Sequence, residues 1–250
     1  MVYNIGKENK KMDIQKRYAE LENNIVTYDE LKSVASCNAI TDTENFVPVE
    51  RSGNLYAEWV LPFSAEMQAI TPTTLVRETV YKKLRNVADT LKSQDRHLHL
   101  AVTWGWRDLN IQTRIWNENY QQLRPHYKTH EETVSATLKR IAEPSVAGHP
   151  TGGAVDVLLY DDRLKDYLNY GAKIYDFDAG KKHWTYSPEI SGEALRNRLY
   201  LRELMQSEGF TPYNAEWWHY SYGDKTWAVD NKKDECLYSQ KTLAQIENLM

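Results

Sequence analysis

Apolar residues recur at helical spacing from Thr74 to Leu91, where Val76, Val80, Leu84, Val87 and Leu91 fall on one face. This spacing predicts an amphipathic helix with Lys and Arg on its outer face. The run from His97 to Trp104 alternates and predicts a strand. Asp108 to Gln122 is helical in pattern and ends before Pro125. Thr129-His130-Glu131-Glu132 has the form of a capping box, opening a helix that carries Val134, Leu138 and Ile141. Pro144 and the stretch from Gly148 to Gly153 break the pattern into a loop. Ala154 to Tyr160 then predicts a second strand. Ser191 to Glu208 predicts a helix with Leu195, Leu199 and Leu204 inside, stopped by Gly209. Trp217-Trp218-His219-Tyr220 is an aromatic, strand-like run. Helices and strands mix without a strict βαβ alternation, which predicts an α+β fold: a small antiparallel sheet with helices packed on its outer face.

Residues 1–35 are polar with weak apolar spacing and predict a peripheral N-terminal extension; residues 36–250 predict a single domain. Charge alters this picture little. The 250 residues carry 31 Lys+Arg against 35 Asp+Glu, a net charge of −4. Without a basic excess there is no electrostatic case for nucleic acid as a partner. A chain that is 41% hydrophobic and 12% aromatic is too apolar to be disordered. No run approaches the ~20 apolar residues that span a bilayer, so no membrane partner is expected. Met1 to Lys10 is basic but is followed by more charge, unlike a secretory signal, so a cytoplasmic protein is expected, or a periplasmic or secreted one if a signal has been removed. Cys37 and Cys236 are the two cysteines; they fit a reducing compartment at least as well as a bridge, and with no CxxC a cysteine zinc site is ruled out. Oligomeric state is not written in this pattern.

The chemistry concentrates in two segments. In the first, Gly148-His149-Pro150-Thr151-Gly152-Gly153-Ala154-Val155-Asp156, a loop histidine precedes an aspartate set inside an apolar strand. A carboxylate buried there is costly unless paired or bound to a metal, and the glycines allow the loop to fold back toward it. In the second, Glu216-Trp217-Trp218-His219, a carboxylate and an imidazole stand three apart in aromatic surroundings. His149, Asp156 and His219 form a suitable three-ligand set for one catalytic Zn2+ per chain, with a fourth position open. Glu216 is then a candidate base. The plainer alternative stays open: His149 a turn residue, Asp156 paired with an arginine, Glu216 and His219 surface groups.

Taken together, the His149-x6-Asp156 and Glu216-Trp217-Trp218-His219 pieces resemble the zinc D-alanyl-D-alanine dipeptidases, the vancomycin-resistance type and its housekeeping relatives in peptidase family M15. The resemblance runs roughly from Thr41 to Tyr222 and includes Thr43-Glu44-Asn45-Phe46, Trp104-Gly105-Trp106-Arg107-Asp108 and Asn197-Arg198-Leu199. It implies a hedgehog/D-Ala-D-Ala peptidase-like fold, zinc held by His149, Asp156 and His219, and a proton moved by Glu216 from water to the leaving amine. It also implies oxyanion stabilisation by Arg107, for which a permanently charged donor fork is suited. Asp178 falls where the family grips the substrate ammonium, with Asp176 a close competitor; Tyr175 and Trp218 join them as expected substrate-pocket residues. The implied reaction is hydrolysis of D-alanyl-D-alanine or a related dipeptide of the peptidoglycan cell wall. Rival readings are a D,D- or L,D-carboxypeptidase acting on stem peptides and a non-catalytic zinc-bearing relative that binds peptidoglycan fragments.

Two departures touch the substrate pocket. Ala147 stands where the family has a serine, and Lys173-Ile174-Tyr175 replaces Met-Gly-Thr. Among the remaining histidines, His97 and His99 share a strand face and are expected to be a solvated pair; His126, His130 and His183 are expected at the surface. Trp104 is expected to pack the core.

Overall fold

In the computed structural model of the protein, the described residues are 25–36, 42–60, 64–247 and 249, with Phe177 and Asp178 described by backbone alone. The elements, in chain order, are α1 (Tyr28–Ser33), β1 (Phe46–Pro48), β2 (Leu55–Ala57), α2 (Ala65–Ile70), β3 (Leu75–Arg77), α3 (Glu78–Gln94), β4 (Leu98–Trp104), α4 (Leu109–Leu123), α5 (His130–Leu138), β5 (Ala154–Asp161), β6 (Asp166–Tyr167), α6 (Gly192–Ser207), β7 (Thr211–Pro212), β8 (His219–Ser221), α7 (Lys225–Asp230) and α8 (Leu243–Ile246). Short 3-10 turns lie at Arg124–His126, His149–Thr151 and Phe177–His183. Of the expected polar extension, residues 1–24 lie outside the described part, and so does Cys37. No described helix is long and apolar enough to cross a membrane.

The mixed α+β architecture is the one expected. The main sheet runs β2-β4-β5-β8-β7, with β6 added on β5. It is not wholly antiparallel, as the sequence pattern implied: β2 runs parallel to β4, while β4–β5, β5–β6, β5–β8 and β7–β8 are antiparallel. The reason is the connection. Between β2 and β4 the chain passes through α2, β3 and α3, a crossover long enough to return the strand in the same direction. A second, two-stranded sheet pairs β1 with β3.

The helix expected from Thr74 begins at Glu78. Val76 does lie four residues before Val80, but Leu75–Arg77 pairs with β1, and Leu75 also accepts a hydrogen bond from the Trp106 amide at 2.7 Å. Tertiary hydrogen bonding overrides the local period here. From Glu78 on the helical reading holds. Val80, Leu84, Val87, Ala88 and Leu91 are buried, and α3 packs on β4 and α6. Full burial of each large aliphatic side chain is worth about 1.5–3 kcal/mol. β4 and β5 are buried on both faces along most of their length, so the strands that carry the site lie inside the core. The expected capping box at Thr129 forms, with Thr129 Oγ1 accepting from the Glu132 amide and the Glu132 carboxylate accepting from the Thr129 amide.

Candidate active site

Asp156 lies in β5 with Trp104 of β4 on one side and His219 of β8 on the other in the strand register. Cross-strand neighbours stand close enough for direct side-chain contact. His219 Nδ1 lies 2.9 Å from Asp156 Oδ1. His149 enters from the 3-10 turn that precedes β5. Gly152 closes that turn at φ +72°, a conformation that L side chains rarely adopt, and the chain reverses there into the strand. His149 Nδ1 donates to the Gly105 carbonyl at 2.9 Å. That bond assigns the proton to Nδ1 and leaves Nε2, 3.5 Å from Asp156 Oδ1, as the coordinating nitrogen. Gly105 comes so close to β3 that a Cβ on it would stand 2.5 Å from the Leu75 carbonyl oxygen.

His149, Asp156 and His219 form the metal-capable cluster found among the described residues, with one ligand atom from each lying within 4.8 Å of the others. Donor atoms on a tetrahedral Zn2+ with bonds of ~2.0–2.2 Å stand roughly 3.3–3.6 Å apart, so this set suits such an ion with little adjustment. The other carboxylate oxygen is already satisfied: the Tyr175 hydroxyl donates to Asp156 Oδ2 at 2.8 Å and also meets Thr103 Oγ1 at 3.2 Å. Burial opposes ionisation of Asp156, but His149 and His219 outweigh it and hold the carboxyl well below its ordinary range. Burial lowers the His149 pKa, with Asp156 opposing it. For His219 burial also works downward, but the Asp156 contact prevails and the pKa is raised.

Glu216 and His219 are tied through one tight turn, in which the His219 amide donates to the Glu216 carbonyl at 3.1 Å and the Glu216 amide to Tyr213 O at 3.1 Å. Burial pushes the Glu216 carboxyl up to about 7, with His219 and Arg107 pulling against it. Arg107 stands just past the end of β4. Its guanidinium lies over the Trp104 ring at 4.4 Å and donates from Nη1 to Gln112 Oε1 at 2.7 Å. Its Nε is buried without a hydrogen-bond partner. Burial lowers the Arg107 pKa, opposed by Asp156, Tyr175 and Glu216.

These groups share one cavity of about 270 Å³, near the small end of ligand pockets. Arg107, Gln112, His149, Asp156, Glu216 and His219 line its polar side, together with Tyr175 and Tyr213. Of the expected substrate-pocket residues, Tyr175 is therefore in the cavity. Trp218 is not among the lining residues: it is fully buried, edge-on to Tyr175 and His183, and supports the site from below. Asp176 is exposed and does not line the cavity. The side chain of Asp178 lies outside the described residues.

A sequence profile described as D-Ala-D-Ala dipeptidase, Peptidase M15, matches residues 65–240. The chain belongs to this family. The D-alanyl-D-alanine dipeptidase of Enterococcus faecalis is 34% identical over 81 residues, which is 32% of this chain and 39% of that protein. That of Enterococcus faecium is 30% identical over 108 residues, 43% of this chain and 52% of that protein. The chain thus spans about half or less of the length of these curated relatives. Among solved structures, VanYB in complex with D-alanine-D-alanine has a TM-score of 0.40 at 16% identity, covering 82% of this chain and 95% of that one.

Membership of the family leaves several details of this chain to its own geometry. Gln112 and Tyr213 escaped the sequence reading. Gln112 is a polar side chain buried on α4 one turn after Arg107, which is a signal of a held partner; Tyr213 carries none, since only the β7–β8 turn brings it beside Glu216. Burial and then the Glu216 charge raise the Tyr213 pKa. His97 is bonded to Asp162 at 2.8 Å and His99 lies 3.6 Å from the same carboxylate with its ring edge-on to Tyr160, so the pair is partnered and not merely solvated. His183, expected at the surface, is buried against Trp218, because the 3-10 turn carrying it folds onto the aromatic floor. His126 and His130 are exposed as expected. Trp104 is in the core as expected, and it also faces His149 and Arg107.

Proposed function

We propose that this chain is a zinc-dependent dipeptidase that hydrolyses D-alanyl-D-alanine or a related D-amino-acid dipeptide, with one Zn2+ held by His149, Asp156 and His219. The observation that carries the reading is the gathering of this ligand set with Glu216 and Arg107 around one cavity of about 270 Å³. When bound, the ion supplies Lewis-acid polarisation of the peptide carbonyl and a water acidified toward neutrality.

The protein's own groups supply the rest. Tyr175 occupies Oδ2 of Asp156 and so reserves Oδ1 for the shared site. The Gly105 carbonyl orients the His149 ring. Glu216 takes a proton from the attacking water and returns it to the leaving amine; a carboxyl raised to about 7 holds or gives a proton near neutral pH with little penalty either way. The Arg107 guanidinium, which lines the cavity, donates to the oxyanion as charge develops on it. Gln112 holds the guanidinium in place for that role. A cavity of about 270 Å³ has the size for a free dipeptide, which supports the dipeptidase reading.

The test is a panel of D,D-, L,D-, D,L- and L,L-dipeptides with blocked and longer peptides, assayed with zinc. The expected result is hydrolysis of a free dipeptide, with blocked and longer peptides poor substrates. Glu216→Gln should lose ~10²–10⁴-fold in kcat while retaining zinc by elemental analysis, and His149→Ala should lose the metal. Full turnover in the Gln variant would remove Glu216 from its role.

A further inference from the structure

The residues that line the cavity differ in chemistry and in origin. The polar side is built by the ends of β4, β5 and β8 and the turns beside them. The cavity is also lined by Val26 and Leu31 from α1 and the residue two before it, Leu138 and Ile141 from the end of α5 and just after it, and Val146 and Ala147 from the loop that leads to His149, with Tyr28, Arg140 and Thr226 among them. Val26 and Leu31 lie outside the segment that matches the family profile, which begins at residue 65.

This wall is built, not draped. Thr27 caps α1, its Oγ1 accepting from the Glu30 amide at 3.2 Å while the Glu30 carboxylate accepts from the Thr27 amide at 2.7 Å. The Tyr28 hydroxyl donates to Glu143 Oε2 at 3.1 Å and ties the helix to the loop that follows α5. Val34 packs with Ala228 and Cys236, and the Ala35 amide donates to Asp234 O at 2.9 Å.

We propose that Val26 and Leu31, with Leu138, Ile141 and Val146, form an apolar subsite that selects a dipeptide carrying a side chain of leucine or phenylalanine size. The inference rests on the dipeptidase reading above and specifies its substrate class. Two alanine methyl groups leave such a wall poorly covered, whereas a bulky apolar side chain removes its surface from water together with its own. Each methylene so placed is worth roughly 10-fold or more in discrimination.

The experiment uses the full chain as the zinc-loaded Glu216→Gln protein, so that binding is read without turnover. Calorimetric titrations compare D-Ala-D-Ala, D-Ala-D-Leu and D-Leu-D-Ala. One leucine dipeptide is expected to bind at least ~10-fold more tightly than D-Ala-D-Ala. Adding Val26→Ala with Leu31→Ala should cut that ratio several-fold. Leu31→Trp, which fills the subsite, should reverse the preference. Asp29→Ala, on the exposed side of α1, should keep it. Melting temperatures verify folding, and if the double variant unfolds, Leu31→Trp decides alone. A ratio near one in the parent, or an unchanged ratio in a folded wall variant, overturns the subsite. Hydrolysis of dipeptides by the wild type without such a preference overturns the subsite alone. A clear binding preference with no hydrolysis of any dipeptide overturns the dipeptidase reading alone. Absence of binding by all three overturns both.

Discussion

Two arginines stand at the ends of core strands, and their surroundings are opposite. Arg77, at the end of β3, is fully buried. Its Nε donates to Thr151 O at 2.8 Å, Nη1 to Glu44 O at 2.7 Å, and Nη2 to Asp42 Oδ2 at 2.9 Å and Ser239 O at 3.3 Å. The Phe46 and Tyr238 rings cover it, 4.1 and 4.9 Å from the guanidinium carbon. Arg107 has one side-chain partner, Gln112, a buried Nε with none, and an open cavity in front of it. A saturated guanidinium cements loops together; one held at a single corner and lining a cavity is free to serve the oxyanion role proposed above. Both cations are costly to bury, so what separates structure from chemistry is where the donors go.

The sharpest way to break this contrast is to remove each guanidinium in turn. Arg77→Met leaves the buried Asp42 with Lys241, 3.2 Å away, as its remaining cation and with the hydrogen bonds from Ser239. Removing one partner of a buried pair costs about 3–5 kcal/mol, which at ~2–4 °C per kcal/mol for a chain of this size lowers Tm by roughly 6–20 °C. Calorimetric melting checks it, and the folded fraction should hydrolyse dipeptide at the wild-type rate. Arg107→Met should do the reverse: kcat lower by ~10²–10³-fold, equivalent to about 2.7–4 kcal/mol of transition-state stabilisation, with Tm little changed. If Arg107→Met mainly unfolds the protein, the contrast between the two arginines is lost.

The Asp42 carboxylate sharpens the structural half through pH. Burial opposes its ionisation, but Ser239, Arg77 and Lys241 outweigh it, and its pKa lies below the ordinary value. A depressed carboxyl stabilises the fold fully above its unfolded pKa, ~3.9, and that stability is lost as pH falls through the folded pKa. Urea unfolding of the wild type and Asp42→Asn from pH 7 to 3 should therefore give a stability gap that is constant near neutrality and narrows below about pH 4. Effects common to both proteins cancel in the difference. A gap that widens in acid contradicts the assignment.

These two arginines also mark how far the sequence could be read. His149, Asp156, Glu216 and His219 were legible because a carboxylate inside an apolar strand, and an imidazole three residues from another carboxylate in an aromatic run, are locally expensive and call for a shared partner. The strand register then realised the contact the residues had only permitted. Arg77 looked like one outward base among several on a helix; its role depends on Asp42, Thr151 and Ser239, none of them near it in the chain. Leu75–Arg77 reads as helix in the sequence because Val76 and Val80 satisfy a helical period that a strand followed by a helix satisfies equally well. Val26 and Leu31 are isolated apolar residues in a polar stretch, and only the position of α1 beside the cavity brings them to it. Likeness of position points to Asp176 for the pocket, whereas the structure leaves it exposed and off the cavity lining.

The smallest expected effect tests whether the free arginine is truly positioned. Gln112 accepts from Arg107 Nη1 through Oε1 and donates through Nε2 to Ala142 O at 2.6 Å, so it links the guanidinium to the loop after α5. Gln112→Leu keeps the volume and removes both bonds. The charge on Arg107 persists, and the stacking on Trp104 still limits its motion, so the loss is one of aim. We expect kcat/KM to fall by ~10-fold, about 1.4 kcal/mol, carried mainly by kcat because the oxyanion forms only in the transition state. Zinc content and the binding of D-Ala-D-Ala to the Glu216→Gln protein should stay within about two-fold, a change of ~0.4 kcal/mol. A fall in kcat as large as that of Arg107→Met would mean that the guanidinium has no second support and that the Trp104 face contributes nothing to its aim. An unchanged kcat would mean that the Gln112 bond fixes the loop alone, and the positioning chain from Ala142 to the oxyanion would end at Gln112.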